Sequence, residues 1–555
     1  MGKVICFSLF FFASRAYSAD LAPVAPVMDC AQLKSADFAG VTDAAIHIIA
    51  ATPVKIGQPA PYCDVTGSVS PHVEFEVRLP LSSWTQRFLQ TGCGGLCGNT
   101  NIRVSNAENC AVAERGEIAL ASTDMGHQGM GGDWGDDPSL RIDFAYRSVH
   151  VTTLAAKAII AKYYGRPPKY SYFSGCSDGG REALIEARRY PNDFDGITAV
   201  APAMNFITQN TFYHGWNARV NTDSSGRAIL TADKLPILHA AVITACDAAD
   251  GLKDGLISDP RACHFDPAAV QCKAGISPDT CLTPEQVDVV RKLYQGAHDS
   301  EGHKLVIGGP QPGSELAWEG VYVPKNPSQP IMSKMFSTET IKHLAFEKNP
   351  PPAFTLADLH FDQDTFNALK KAHELYDSTN PDLTAFAAHG GKLILWHGWA
   401  DPHISPLNTI AYFSAVRGFM GVARSQEFLR LYLFPGGYHC GGGEGPFDVD
   451  LLSPIMAWVE SGAAPDALIA SHRAGPSGPM PSGPPPPGMR LPPAVERQPP
   501  KVDRTRPVFP YPLVATYTGK GSIDNAANFV GKPSKEKFND QPDWLGASFY
   551  AANKP

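Results

Sequence analysis

Ser177 stands in Gly175-Cys176-Ser177-Asp178-Gly179, and far downstream His439 is followed directly by Cys440. In a G-x-S-x-G pattern the small flanking residues let the chain turn sharply from strand to helix and hold the serine hydroxyl clear of the backbone. Such a hydroxyl becomes a nucleophile when an imidazole takes its proton and a carboxylate orients that imidazole. Asp401 in WHGWADPHISP and His439 in FPGGYHCGGG supply those groups, in the order Ser, Asp, His. His397 and His403 are rivals for the base, but they lie on the segment expected to supply the acid and are assigned to packing or to the substrate pocket. Cys176 and Cys440 neighbour the nucleophile and the base. If those side chains meet, the neighbouring Cα atoms fall within the roughly 4.4–6.8 Å a disulfide needs, so a Cys176–Cys440 bridge would clamp the two loops.

Attack on a carbonyl makes an oxyanion that needs N–H donors. The residue after the nucleophile normally gives one, here Asp178, and a glycine loop after an early strand gives another. Gly92-Cys93-Gly94-Gly95 is that loop, with Gly95 or Gly94 as the donor.

These residues must sit at the ends of regular elements. Strand patterns fall at 73–79, 87–91, 118–122, 170–173, 197–200, 392–397 and 429–434, with helical periodicity over 144–164 and 181–189. Strands alternating with helices predict an α/β fold, an α/β-hydrolase with a mostly parallel sheet. The rhythm breaks after about Met204 and resumes at 392. The predicted organisation is a hydrolase domain over 19–203 and 380–555, a large inserted lid over 204–379, and a Pro/Gly-rich surface excursion at 474–500.

At 555 residues the chain can bury a large core, and 47 Lys plus Arg against 55 Asp plus Glu, with no basic run, argue against nucleic acid as a partner. Residues 1–18 combine Lys3, an apolar run and Ala16-Tyr17-Ser18, as in a cleaved signal peptide, and nothing later is long and apolar enough for a membrane span. A secreted or periplasmic location follows, and twelve cysteines suit an oxidising compartment. Cys93-x-x-x-Cys97 invites zinc, but no second ligand pair at metal spacing follows it.

In CDAADGLKDGLI, the carboxylates of Asp247, Asp250 and Asp254 are interleaved with glycines. Such a loop suits a hard cation that takes oxygen ligands, although by spacing alone a solvated acidic turn fits equally well. Cys263 is near enough to Cys246 to close a short loop around it, a link worth roughly 3 kcal/mol on the chain-entropy estimate.

The elbow GCSDGG, the histidine loop GGYHC, the acid loop WHGWADP and the loop CDAADGLKDG together resemble the tannase and feruloyl esterase family, over about 30–528. That family also contains a bacterial hydrolase of mono(2-hydroxyethyl) terephthalate. The resemblance implies a secreted serine esterase acting on small-molecule esters of aromatic acids, including esters attached to plant polysaccharide or tannin. It implies a structural Ca²⁺ held by Asp247, Asp250 and Asp254 and by the carbonyls of Leu252 and Leu256. It further implies bridges Cys30–Cys63, Cys246–Cys263 and Cys272–Cys281. Phe509 and Gly531 stand where many relatives have a C-terminal cysteine pair. Cys93, Cys97 and Cys110 are additional, with Cys97–Cys110 the expected pairing. A terephthalate monoester hydrolase, a secreted serine peptidase, and a non-catalytic phenolic- or carbohydrate-binding protein are the alternatives. Trp216, Tyr213, Phe336 and Trp399 could line the acyl pocket, although ordinary core packing is the stronger reading for any one of them.

Overall fold

The computed structural model describes residues 18–56, 59–275, 277–473 and 501–552. The expected signal segment, all but its last residue, and the 474–500 excursion lie outside the described residues. A nine-stranded sheet runs through the molecule in the order β1-β2-β3-β5-β4-β6-β7-β8-β9. Its strands are β1 Ile46–Val54, β2 Tyr62–Val69, β3 Val73–Pro80, β4 Arg87–Thr91, β5 Ile118–Thr123, β6 Tyr170–Cys176, β7 Gly196–Val200, β8 Lys392–Gly398 and β9 Leu429–Phe434. Pairings from β1 to β5 are antiparallel, and every pairing from β5 through β9 is parallel.

Burial follows from that topology. Parallel strands covered by helices on both faces read as continuous apolar runs, and all of β4 and all of β7 are buried. In β2, by contrast, Cys63, Val65, Gly67 and Val69 face inward in alternation with partly exposed residues. The sequence reading begins near residue 71 and misses β1 and β2, although the period of two in β2 is a legible signal. β1 is an edge strand whose register shifts between Ile48 and Ala50, which disrupts its alternation. Two small sheets, β10 Leu468–Arg473 with β11 Val502–Val508 and β12 Leu513–Tyr517 with β13 Phe529–Pro533, also went unforeseen.

The helix expected over 144–164 runs over Ser148–Tyr164, preceded by a wide π turn at Asp143–Arg147. The one expected over 181–189 begins earlier, at Asp178, because Gly179 and Gly180 are helical despite their low propensity. Between β7 and β8 the chain leaves the sheet and builds a second cluster around Leu235, Leu238, Val287, Leu293, Trp318 and Tyr322.

Disulfides join Cys30–Cys63, Cys176–Cys440, Cys246–Cys263 and Cys272–Cys281. The expected Cys97–Cys110 pair is corrected. Cys97 bonds Cys93, four residues away, and Cys110 is free and buried. A side chain at Gly531 would place its Cβ 2.8 Å from the Phe509 ring. The two positions without cysteine are therefore in contact, an aromatic ring filling the space over a glycine.

A buried ion pair fastens the strands that carry the site. Arg87, the first residue of β4, meets Glu460 through Nε–Oε1 and Nη2–Oε2, both 2.7 Å, and the Tyr172 hydroxyl of β6 donates to Glu460 Oε1 at 2.7 Å. Side-chain exposure is 2% for Arg87 and 0% for Glu460. Removing one partner leaves a buried uncompensated charge, so Glu460→Ala is expected to lower unfolding free energy by about 3–5 kcal/mol in denaturant titration. Arg87→Met with Glu460→Leu is expected to lose much less.

Candidate active site

Ser177 alone makes the turn from β6 to the following helix, with φ 65° and ψ −118°. A non-glycine residue there costs on the order of 1–3 kcal/mol and persists only when its surroundings over-determine it. They do so here: Ser177 N–H donates to the Val200 carbonyl at 3.0 Å, and its carbonyl accepts from the N–H of Gly180, Arg181 and Ala203 at 3.0, 3.1 and 2.9 Å. Gly175 is required by close approach, since a Cβ there would lie 2.2 Å from the Gly179 carbonyl oxygen. One residue before Ser177, Cys176 is bonded to Cys440, with Cα atoms 5.8 Å apart. Cys440 also has a positive φ, 63°. A ring nitrogen of His439 and the two Sγ atoms lie within 4.8 Å of one another, so the imidazole sits beside the elbow.

Asp401 lies just past β8 and is fully buried. Its Oδ2 bonds His439 Nδ1 at 2.7 Å, and its Oδ1 accepts from the N–H of His403 at 2.8 Å and of Ile404 at 3.1 Å. His397 closes the other side. Its Nε2 meets Asp401 Oδ2 and the Ile404 carbonyl, both 3.1 Å, while its Nδ1 meets Thr409 Oγ1 at 2.7 Å. Two acceptors at Nε2 require a proton there, and Nδ1 faces the Thr409 hydroxyl. His397 therefore supports the acid and is not the base. Burial alone would raise the Asp401 carboxyl, but the charge of His439 and the bonds from His397 and His439 outweigh it and hold the group far below the usual carboxylate range.

Three backbone amides near the elbow are unpaired: among the described residues the N–H groups of Asp178, Gly94 and Gly95 have no protein partner. Asp178 opens the helix, where uncapped N–H groups favour negative charge. Its carboxylate is turned into the core onto Arg181, at 2.6 and 3.0 Å. The glycine loop leans on the elbow: a Cβ at Gly94 would sit 3.8 Å from Ser177 Cβ, and one at Gly179 would sit 3.1 Å from Cys93 N.

Apolar and neutral groups border the loop. A Cβ at Gly95 would lie 3.2 Å from Met130 Cε and 3.3 Å from the Phe336 ring. His214 has its ring centroid 5.7 Å from Phe336 and 5.8 Å from His403, which in turn lies 4.8 Å from His439. Burial first, then the charge of His439, pushes His214 down to about 3, and burial likewise holds His403 far below its ordinary value. Both are neutral at pH 7. The other aromatics are each held by a partner of their own. Trp216 Nε1 donates to the Lys292 carbonyl, the Tyr213 hydroxyl donates to the Pro402 carbonyl, and Trp399 lies under Arg261. Trp399 lines a cavity of about 630 Å³ with Arg261, Tyr511 and Phe538, which includes none of Ser177, Asp401 and His439.

In the acidic loop, Asp247 accepts from the N–H of Asp254 and Gly255, both 3.1 Å, and Asp250 from Leu252 N–H at 2.8 Å. Gly251 and Gly255, at φ 95° and 82°, wrap the backbone around these carboxylates. Asp254 Oδ2 is paired with Arg506 at 2.5 Å. Among the described residues, Asp247, Asp250 and Asp254 do not bring one oxygen each within 4.8 Å of one another. The all-oxygen donor set matches a hard cation in chemistry, and Arg506 now balances part of its charge.

A strained serine elbow at the carboxyl end of the parallel strand β6, with an Asp–His pair on the loops after β8 and β9, defines an α/β-hydrolase. The family model described as tannase and feruloyl esterase matches residues 55–531. The chain is 31% identical over 518 residues to an uncharacterized esterase of Xanthomonas campestris, covering 84% of each chain. It is 30% identical over 535 residues to the mono(2-hydroxyethyl) terephthalate hydrolase of Piscinibacter sakaiensis, again covering 84% of each. The crystal structure of feruloyl esterase B from Aspergillus oryzae superposes with a TM-score of 0.73 at 25% identity, over 91% of this chain and 99% of that one. The chain belongs to the tannase and feruloyl esterase family and is a carboxylic ester hydrolase.

His439 and His403, whose rings lie 4.8 Å apart, are separable by mutation. If Ser177, His439 and Asp401 work as a triad, His439→Ala lowers kcat by roughly a thousandfold or more, because triad members act as a unit. His403→Ala, which removes only a neutral neighbour, is expected to stay within about tenfold of wild type. Ester turnover of purified variants with matched circular dichroism spectra checks both.

Proposed function

We propose that the protein hydrolyses esters of aromatic, phenolic acids through an acyl-enzyme on Ser177, with His439 as base and Asp401 as its orienting acid. The short bond from His439 Nδ1 to Asp401, beside a serine held at positive φ, carries this reading. His439 Nε2 takes the Ser177 proton as Oγ attacks the ester carbonyl, and the imidazolium then protonates the departing alcohol. Asp178 N–H and the amide of Gly95 or Gly94 receive the oxyanion. Water, deprotonated by His439, releases the acid and restores Ser177.

The neutral rim of Met130, Phe336, His214 and His403 supports an acyl group that is flat and uncharged where it meets the rim. The printed names of the relatives, feruloyl esterase and mono(2-hydroxyethyl) terephthalate hydrolase, support aromatic acyl groups. With methyl gallate, methyl ferulate, methyl p-coumarate and the terephthalate monoester, at least one kcat/KM is expected to exceed that for a peptide anilide by about a hundredfold or more. Comparable turnover of the anilide would favour a peptidase instead. Five disulfides support an oxidising, extracytoplasmic setting, and among the described residues no helix is long and apolar enough to cross a membrane.

We also assign a structural Ca²⁺ to Asp247, Asp250 and Asp254 with the carbonyls of Leu252 and Leu256. Bound there, the ion would neutralise clustered carboxylates and tie the loop near the Cys246–Cys263 bridge. A ligand that binds only the folded state stabilises it by RT ln(1 + [L]/Kd), about 2.7 kcal/mol at a hundredfold excess over Kd. Chelation is therefore expected to lower Tm and added Ca²⁺ to restore it, with Asp250→Ala insensitive to both. A wild-type Tm unmoved by chelator would leave only an acidic turn.

A further inference from the structure

We infer that the Cys93–Cys97 disulfide is a positioning element of the ester-cleaving site, holding the Gly94 and Gly95 amides at the level of Ser177. The inference rests on the acyl-enzyme reading above. The bridge spans the residues that carry the free amides, and its ends are held on different parts of the fold. On the near side Gly92 N–H donates to the Ser174 carbonyl at 3.0 Å. On the far side Gly98 and Gly129 exchange hydrogen bonds of 2.6 and 2.9 Å, and His127 Nε2 meets the Leu96 carbonyl at 3.0 Å.

Between those anchors lie two glycines whose N–H groups have no protein partner among the described residues, one of them at φ 70°. Glycine is the most conformationally free residue, so two in succession without backbone hydrogen bonds would sample many orientations. Amides that must meet a developing oxyanion to within a few tenths of an ångström cannot be left so free. The disulfide removes that freedom across the stretch concerned. Its Cys93 end also rests on the elbow helix, with Sγ 3.9 Å from Glu182 Oε1. Burial, followed by the neighbouring Asp178 carboxylate, holds the Glu182 carboxyl well above its ordinary range.

The size of the loop separates this role from a stabilising one. Stabilisation from a cross-link grows with the logarithm of the residues enclosed. Cys93–Cys97 has a separation of 4, against 264 for Cys176–Cys440 and 33 for Cys30–Cys63. Its removal should therefore show in catalysis before it shows in folding.

The test is Cys93→Ser with Cys97→Ser, assayed on an aromatic methyl ester that the wild type cleaves, with phenylboronic acid as a tetrahedral-adduct probe. Loss of one oxyanion donor costs about 10²–10³ in kcat, and a misplacement near 1 Å about 10². The expected result is a kcat lower by about 10- to 100-fold, KM within about threefold, boronate affinity falling in parallel, and Tm within a few degrees. A kcat within twofold of wild type, or an unchanged boronate affinity, would overturn the inference. Should the double variant fail to fold, mild phosphine reduction of the wild type, with thiols located by peptide mapping, replaces it. Activity must then fall as Cys93 and Cys97 become thiols and return on reoxidation, and full activity with both as thiols overturns the inference. Ser177→Ala is the control. If it is inactive while the double variant is normal, only the bridge's role is wrong, whereas an active Ser177→Ala overturns the reading beneath it.

Discussion

One covalent bond decides how much freedom the reacting groups have. Cys176 and Cys440 lie one residue from the proposed nucleophile and the proposed base, and their bond closes a loop with a sequence separation of 264. Both sides of that bond are under backbone strain, with Ser177 at φ 65° and Cys440 at φ 63°. Without a tether, each loop could relax toward negative φ and carry its side chain away from the other. With it, relaxation of one loop would have to drag the other, and the carbonyls of Val200 and Ser177 resist through the bonds made at the elbow. The strain is thus held where it presents Oγ.

The acid is organised on a different principle. Asp401 is a buried carboxylate whose two oxygens are surrounded by donors from His397, His403, Ile404 and His439. Such a group stays ionised because its hydrogen bonds and its charge partner outweigh desolvation. Covalent tethering for the nucleophile and base, and polar saturation for the acid, together leave His439 little choice of orientation. Behind them the buried Arg87–Glu460 pair links β4, β6 and the helix ending at Ser461. The glycine loop and the elbow leave the sheet from those same two strands.

The sequence reveals most where one residue type meets a strict geometric demand. Gly175 and Gly179 are legible because only glycine tolerates their contact, and the parallel strands are legible because burial on both faces leaves nearly uninterrupted apolar runs. The edge strand β1 is hard to read because its register shift breaks the alternation, whereas β2 keeps a period of two that the sequence does show. The place of His397 was equally hidden. Nothing in its neighbours distinguishes a histidine that bonds a carboxylate from one in a pocket, and only the return of Thr409 and Ile404 around it makes the difference. The Cys93–Cys97 bond was missed for a similar reason. Separation along the chain says little when a tight glycine turn can bring near neighbours together and leave Cys110 alone in the core.

Whether Ser177 is an activated nucleophile is the claim on which the rest depends, and a fluorophosphonate probe reads it directly. Intact-mass analysis followed by peptide mapping is expected to find one adduct per chain, on Ser177, formed in the native protein and lost on denaturation before labelling. An unlabelled native protein, or an adduct on any other residue, would contradict the account.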